Sequence, residues 1–330
     1  MTAIAPHMSS WLRQRLPVEQ GASPHTCDAY ATTFQLLFGF ASKRLRVTPS
    51  EMTFEQLDAP LVLAFLDHIQ QERGCGGRTR NARLAAIKAF MRFMEYREPA
   101  SLEQIRCVLA IPSQRVTTKP IKHLEPAEVQ AILDAPDPTS REGIRDRTML
   151  HVAVTSGMRV SELVGLRRDE VTFRERYIDL YVRGKGRKDR VLTLWKAVAD
   201  SVRSWLSVRG DASVPELFLN GRNDAITRSG VEYILDKHVA TAAKQCPSLS
   251  GKRVSPHVLR HTCAMTTLRA TRDIRKVALW LGHSSTQTTE MYLSQDPIDK
   301  LETLEAVIPP ALRPGTFSPP DKLIALLKKR

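Results

Sequence analysis

Four stretches of this chain gather side chains able to handle a phosphate and a proton. In "SPHVLRHTCA", residues 255–264, His257 and Arg260 follow directly on Ser255 and Pro256. Serine is a favoured N-cap and proline fits the first helical position. Both side chains therefore belong to the opening turn of an expected helix, where unpaired N–H groups and the positive dipole end suit an anion. An imidazole titrates near neutrality and a guanidinium can grip two phosphate oxygens at once. His261, one step round, is expected to pack or cap. In "TSGMRVSELVGLRRDEV", residues 155–171, Arg159 and Glu162 stand at i and i+3 and share a helix face, so Glu162 can orient Arg159. "RYIDLYVRGKGRKDRVLTL", residues 176–194, alternates at Ile178, Leu180 and Val182 and again at Leu192 and Leu194, with Lys185 between two glycines. That is a β-hairpin with a basic tip, able to place a lysine in a DNA groove. In "ALWLGHSSTQTTEMYLS", residues 278–294, Gly282 ends a helix, His283 sits in the turn and Tyr292 follows. Each stretch alone also fits a plainer reading: a surface ion pair, a charged turn, or a core tyrosine with its hydroxyl satisfied.

The elements that must position these residues are mostly helical. Ser23-Pro24 opens a helix carrying Tyr30, Phe34, Leu37 and Phe40 at helical spacing. "FEQLDAPLVLAFLDHIQQERG" reads as a second helix ended by Gly74. "GCGGRTRNARLAAIKAFMRFMEYRE" reads as a glycine-rich entry to a third, with Leu84, Ile87, Phe90, Met91 and Met94 on the core face. Arg78, Arg80, Arg83, Lys88 and Arg92 lie elsewhere around that segment, on a face suited to a DNA backbone or simply to solvent. "IPSQRVTTKPIKHLEP", with no apolar period, reads as an extended linker. "IPPALRPGTFSPP" leads to a short leucine-rich helix, "DKLIALLKKR", marginal alone and in need of a surface to dock on. The expected organisation is a helical domain over 1–110, a linker over 111–124, a second domain over 125–308 and a proline-rich tail over 309–330.

The 330 residues carry a net charge of +14, about +4 in the first 115 residues and about +10 beyond them. Such an excess points to polyanionic partners, nucleic acid first and an anionic membrane surface second. Five scattered cysteines without a CxxC pair support neither a disulfide framework nor a zinc site and fit a reducing compartment. The opening lacks the pattern of a signal peptide, and no apolar run approaches the ~18–20 residues of a membrane span. The expected location is the cytoplasm.

Together, "SGMRVSELVGL", "VRGKGRKDRVLTL", "SPHVLRHTCA" and "LGHSSTQTTEMY", in this order and spacing, resemble the tyrosine recombinase (phage integrase) family, especially its Xer-like members. "SPHTCDAYATTF" and "TRNARLAAIKAFMRFM" are similar to that family's core-binding domain. The resemblance implies a mostly α fold with a small antiparallel β-sheet: a helical, SAM-like core-binding domain followed by a mixed α+β catalytic domain. It implies Tyr292 as nucleophile and Arg159, Lys185, His257, Arg260 and His283 as its activating residues, with Glu162 in support. Arg78, Arg80, Arg83, Lys88, Arg183, Arg187 and Lys188 are the candidate DNA contacts. No cofactor and no metal are implied.

The implied chemistry is DNA strand exchange through a 3′-phosphotyrosyl intermediate, on double-stranded DNA, by a homotetramer or a hetero-tetramer with related recombinases, in a nucleoid-associated cytoplasmic protein. Two arginines would stabilise the charge of the transition state. A tyrosine with a pKa near ~10 needs cations or a base, which His257 supplies, and Lys185 would protonate the departing 5′-oxygen. The proline-rich tail tilts the expectation toward integration or transposition of a mobile element. The alternatives are Xer-type dimer resolution, a type IB topoisomerase acting on one duplex, and, from another class, a non-catalytic DNA-binding regulator.

Overall fold

The computed structural model describes residues 2–116, 122–184, 189–210 and 213–282. The chain divides into two units, residues 1–119 and 120–330. In the first, helix α1 (Ile4–Ser10) runs on into a π-helical stretch (Trp11–Glu19), an element the sequence analysis did not anticipate. Helix α2 (Pro24–Leu45) begins as expected: Ser23 accepts a hydrogen bond from the Thr26 amide, and Pro24 occupies the first turn. The next helix starts later than the apolar pattern suggested. Phe54–Gln56 form a 3₁₀ turn, and Asp58 caps the Leu61 amide at 2.8 Å to open α3 (Ala59–Gln71). A carboxylate N-cap followed closely by proline outweighs the apolar residues before it. Helices α4 (Gly77–Met94) and α5 (Leu102–Ala110) complete the unit.

Its core is aromatic. Buried Trp11 lies edge-on to Phe34 and Phe90 at 5.5 and 5.3 Å and stacks on Tyr30. Leu84, Ile87, Phe90, Met91 and Met94 of α4 are all buried, as their spacing required. The first residues of the expected linker are bound to this unit. The Gln114 amide donates to Asn81 Oδ1 and its carbonyl accepts from Asn81 Nδ2, while its side chain exchanges bonds with Gln70.

Near the start of the second unit, buried Leu124 donates from its amide to Thr262 Oγ1 at 2.9 Å. Helices α6 (Pro126–Asp134), α7 (Arg141–Ser156) and α8 (Val160–Val164) lead to a three-stranded antiparallel sheet of β1 (Val171–Phe173), β2 (Tyr177–Val182) and β3 (Arg190–Trp195). The expected hairpin is β2–β3; strand β1, too short to alternate visibly, was not anticipated. Ile178 pairs with Leu194, Leu180 with Leu192 and Val182 with Arg190, so these residues form one inward row. The apolar members pack in the same core as Met149 and Val152 of α7 and Val198, Val202 and Trp205 of α9 (Lys196–Arg209). Helices α10 (Arg228–Ala242), α11 (Pro256–Thr271) and α12 (Ile274–Leu281) follow. Among the described residues, no helix is long and apolar enough to cross a membrane.

Candidate active site

Helix α7 stops at Gly157, whose φ of 61° turns the chain left-handed. A Cβ there would lie 2.6 Å from the Leu281 side chain, so the turn must be glycine for space as well as for conformation. Two residues on, Arg159 is the N-cap of α8 and Glu162 its third helical residue. Glu162 reaches back: Oε2 accepts from the Arg159 amide at 2.9 Å, and Oε1 accepts from Arg159 Nη1 at 2.8 Å. The Glu162 side chain is only 5% exposed, whereas that of Arg159 is 40% exposed. The pair is therefore no ordinary surface bridge. A buried carboxylate holds the inner edge of a guanidinium whose outer part faces solvent.

A second arginine completes the carboxylate's shell. Arg190, the first residue of β3, donates from Nη2 to Oε2 at 2.9 Å and from Nη1 to Oε1 at 3.3 Å. Each oxygen of Glu162 thus receives one bond from each arginine, which fills a carboxylate's accepting capacity. Burial would push this carboxyl up, but hydrogen bonds from Arg190 and Arg159 and the charge of Arg190 hold it below the ordinary range. Arg190 also lies under Gly282, a second left-handed turn at φ 64°; a Cβ there would come within 2.9 Å of its Nη1. Arg190 is not among the residues that motif and spacing singled out. The signal was present, because Arg190 continues the inward row of Leu192 and Leu194, and a charge at such a position needs a buried counter-ion.

Ser255 is the N-cap of α11 and Pro256 lies in its first turn, as expected, but the Ser255 hydroxyl makes no capping bond. Arg260, one turn in, is buried. Its Nη1 donates to the Gly157 carbonyl and its Nη2 to the Leu281 carbonyl at 2.8 Å. It thereby ties the end of α7 to the end of α12, a role not legible from its position in α11. His257 is exposed and meets His261 edge-on at 4.5 Å. Partial burial, then the charges of Arg260 and Arg159, lower the His257 pKa below the ordinary imidazole value. An imidazole so placed is neutral at pH 7 and can accept a proton.

Arg159, Glu162, Arg190, His257 and Arg260 therefore converge where α7 and α12 end and α8, α11 and β3 begin. Lys185, Arg187, Lys188, His283 and Tyr292 lie outside the described residues. Arg183 is exposed, with its Nε 2.5 Å from buried Glu170. On the strand ends beside Lys185, Asp189 accepts from the Gly184 amide at 3.1 Å and the Tyr181 hydroxyl at 2.7 Å.

The four candidate DNA contacts on α4 have divergent surroundings. Arg78 is exposed. Arg83 donates to the Ala29 carbonyl and to Thr33 Oγ1 of α2. Lys88 donates to the Ile111 carbonyl at 2.5 Å, and burial, then Arg92, lower its pKa. Arg80 is buried, with Nη1 3.5 Å from the Pro112 carbonyl. The α4 surface is thus less basic than its sequence, because arginines one turn apart face different partners. Among the described residues, no cluster of three or more His, Cys, Asp or Glu could hold a metal ion.

Comparison with known families matches residues 122–297 to the Phage integrase family and residues 10–98 to the Phage integrase, N-terminal SAM-like domain. A candidate integrase/recombinase of Sinorhizobium fredii, y4rC, is 42% identical over 98% of both chains. Tyrosine recombinase XerC of Pelobacter propionicus is 32% identical over 92% of this chain and 95% of its own. Among solved structures, the Tn1549 transposon integrase in complex with transposon right end DNA superposes with a TM-score of 0.71 at 16% identity, covering 92% of this chain and 99% of its own. XerH bound to palindromic difH in a post-cleavage complex superposes at 0.68 and 20% identity, covering 91% and 84%. At these identities the structural likeness speaks to the fold: two helical-rich domains with one small antiparallel sheet.

Proposed function

The chain belongs to the phage integrase family and is a tyrosine recombinase, a DNA strand-transferring enzyme, and from that premise we propose that Tyr292 is its nucleophile and that the arginine-lined site described above receives the scissile phosphate. The observation that carries this reading is the guanidinium of Arg159, held by buried Glu162 and partly open to solvent.

The chemistry follows from these groups. The Tyr292 oxygen attacks the phosphorus as its proton passes to a base, for which neutral His257 is suited. The bond from phosphorus to the 5′-oxygen breaks, leaving a 3′-phosphotyrosyl link and a 5′-hydroxyl, with Lys185 donating the proton to the leaving oxygen. Arg159 and Arg260 balance the charge that builds on the non-bridging oxygens, and His283 adds a hydrogen bond. Arg260, with donors on two backbone carbonyls, does this from a fixed position and brings little reorganisation cost. A 5′-hydroxyl from a partner strand then attacks the phosphotyrosine and restores a phosphodiester. The substrate is double-stranded DNA. The working assembly is a tetramer spanning two duplexes, and the compartment is the cytoplasm.

Integration or transposition of a mobile element is the biological role we favour. It is supported by the 42% identity to the y4rC integrase/recombinase along nearly the whole of both chains. Dimer resolution is the second reading, favoured by the XerC relatives. Covalent trapping tests the proposal. Wild type and Tyr292→Phe are mixed with nicked suicide substrates bearing the DNA that flanks the protein's own gene and run on a denaturing gel. A DNA-linked band from wild type alone is the expected result. Binding without any band, or a band that persists in Tyr292→Phe, sinks the assignment of the nucleophile. Cleavage sites mapped to a chromosome terminus rather than to element ends turn the role to dimer resolution.

A further inference from the structure

We propose that Arg190 is a positioning residue for strand cleavage: it counterbalances Glu162 so that Glu162 can hold Arg159 in place without cancelling the charge Arg159 presents to the phosphate. The inference rests on the reading that Arg159 meets the scissile phosphate. It adds a residue outside the set that reading assigned to the reaction.

The need for such a residue is electrostatic. A carboxylate bonded to a single guanidinium forms a nearly neutral pair, and a neutral pair attracts a phosphate weakly. Glu162 does not face one guanidinium. Each of its oxygens accepts one bond from Arg159 and one from Arg190, at 2.8–3.3 Å. The two arginines differ in access: the Arg190 side chain is 11% exposed and that of Arg159 is 40% exposed. The inner arginine neutralises the carboxylate, and the outer one keeps its positive charge for the solvent-facing side. Burying the first pair makes this selective, because Coulomb interactions strengthen away from water.

Arg190 is also where three pieces of the site meet. It opens β3, so it stands at the foot of the hairpin connection that carries Lys185 in sequence. Through Glu162 it reaches the start of α8. It packs beneath Gly282, the residue before His283, closely enough that any side chain at 282 would strike it. Its Nε is buried without a hydrogen-bond partner, and among the described residues the hydrogen bonds of its guanidinium go to Glu162. Lysine could keep the charge and one bond to Glu162 but not the two-pronged grip.

The test measures single-turnover cleavage of a suicide substrate by wild type, Arg190→Lys, Arg190→Gln, Glu162→Gln and the Glu162→Gln/Arg190→Gln double variant. Melting temperature and DNA affinity are recorded for each. Arg190→Gln is expected to slow cleavage on the order of 100-fold at saturating DNA, the size of effect a misplaced catalytic group produces. Arg190→Lys should be slower than wild type by about 3- to 10-fold, because charge is kept and only the paired geometry is lost. The double variant should be no slower than the slower single, since both act through one contact. Independently of turnover, NMR titration of the Glu162 carboxyl should move upward in Arg190→Gln, because the hydrogen bonds and charge of Arg190 that lower it are gone. Wild-type cleavage by Arg190→Gln, additive losses in the double variant, or an unmoved Glu162 titration overturns the inference. If Arg190→Gln does not fold, Arg190→Lys decides: slowed cleavage at an unchanged melting temperature supports the inference, and an unslowed rate overturns it. A wild type that forms no Tyr292-dependent adduct overturns the recombination chemistry instead, and the Glu162 titration still decides whether Arg190 is the counter-ion.

Discussion

In the proposed reaction Arg159 has two opposing demands to meet: a rigid geometry and an unspent charge. Glu162 supplies the first through bonds to both the amide and the guanidinium of Arg159. The same cluster acts on His257, whose imidazolium is disfavoured by partial burial and by Arg260 and Arg159. The sign suits the proposed role as base: a lowered pKa leaves the imidazole neutral to below the ordinary value of about 6.5. An NMR titration of His257 should place its midpoint below that value. Arg159→Gln should raise it, since removing a cation favours imidazolium; an unchanged midpoint would mean the two groups do not sense each other. On α4 the residue scale separates neighbours. Arg78→Ala should reduce the salt dependence of DNA binding by a slope of about 1 and leave the melting temperature unchanged. Arg80→Ala, which empties a buried site, should instead destabilise by about 1–2 kcal/mol and leave the salt slope alone. The reverse assignment would show that burial does not govern which arginine meets DNA.

At the scale of elements, the site is an assembly of chain ends. Helices α7 and α12 stop on left-handed glycines, and their last carbonyls are the acceptors for Arg260. The buried arginine thus satisfies groups a helix terminus leaves unpaired while the terminus fixes the arginine. Gly157→Ala tests this dependence. The φ of 61° costs a Cβ-bearing residue about 1–2 kcal/mol. A Cβ 2.6 Å from Leu281 adds an overpacking cost of about 1–3 kcal/mol. Chemical denaturation should show a loss of about 2 kcal/mol or more, with cleavage reduced beyond the loss of folded protein. A neutral substitution would mean that the α7–α12 junction gives way easily. The β2–β3 register works in the same direction. It places Arg190 at the end of an apolar row, so packing of Leu192 and Leu194 sets how deep the guanidinium sits.

For the whole molecule, the division into two units carries its own expectation. The first unit has a closed aromatic core around Trp11, Phe34 and Phe90, and it keeps residues 111–116 through Asn81, Lys88 and Gln70. A fragment of residues 1–116 should therefore unfold in one cooperative transition followed by circular dichroism. A broad, non-cooperative loss of helix would show that this unit depends on the rest of the chain. Net charge is positive in both halves, so both the fragment and the full chain should bind DNA more weakly as salt rises.

Much of this architecture could be read from local pattern. Ser23-Pro24, the apolar face of α4, the β2–β3 alternation and the Ser255-Pro256 helix start depend on neighbours within a turn or a strand, and they stand where the spacing put them. Family membership was legible too: residues 122–297, which contain all four motifs, match the Phage integrase family. The start of α3, strand β1 and the N-terminal helix were missed, since a cap or a three-residue pairing leaves little periodic signal. The deeper misses are long-range. Arg260 finds its acceptor 103 residues away at Gly157, and Arg190 finds Glu162 28 residues away. Arg80 and Lys88 turn to the chain that follows α5. The sequence determined which side chains could carry phosphate and proton chemistry and which elements would bear them. Only tertiary structure decided which arginines are buried as counter-ions and bolts and which keep their charge at the surface, because burial and pairing are set by segments that meet only once the chain has folded.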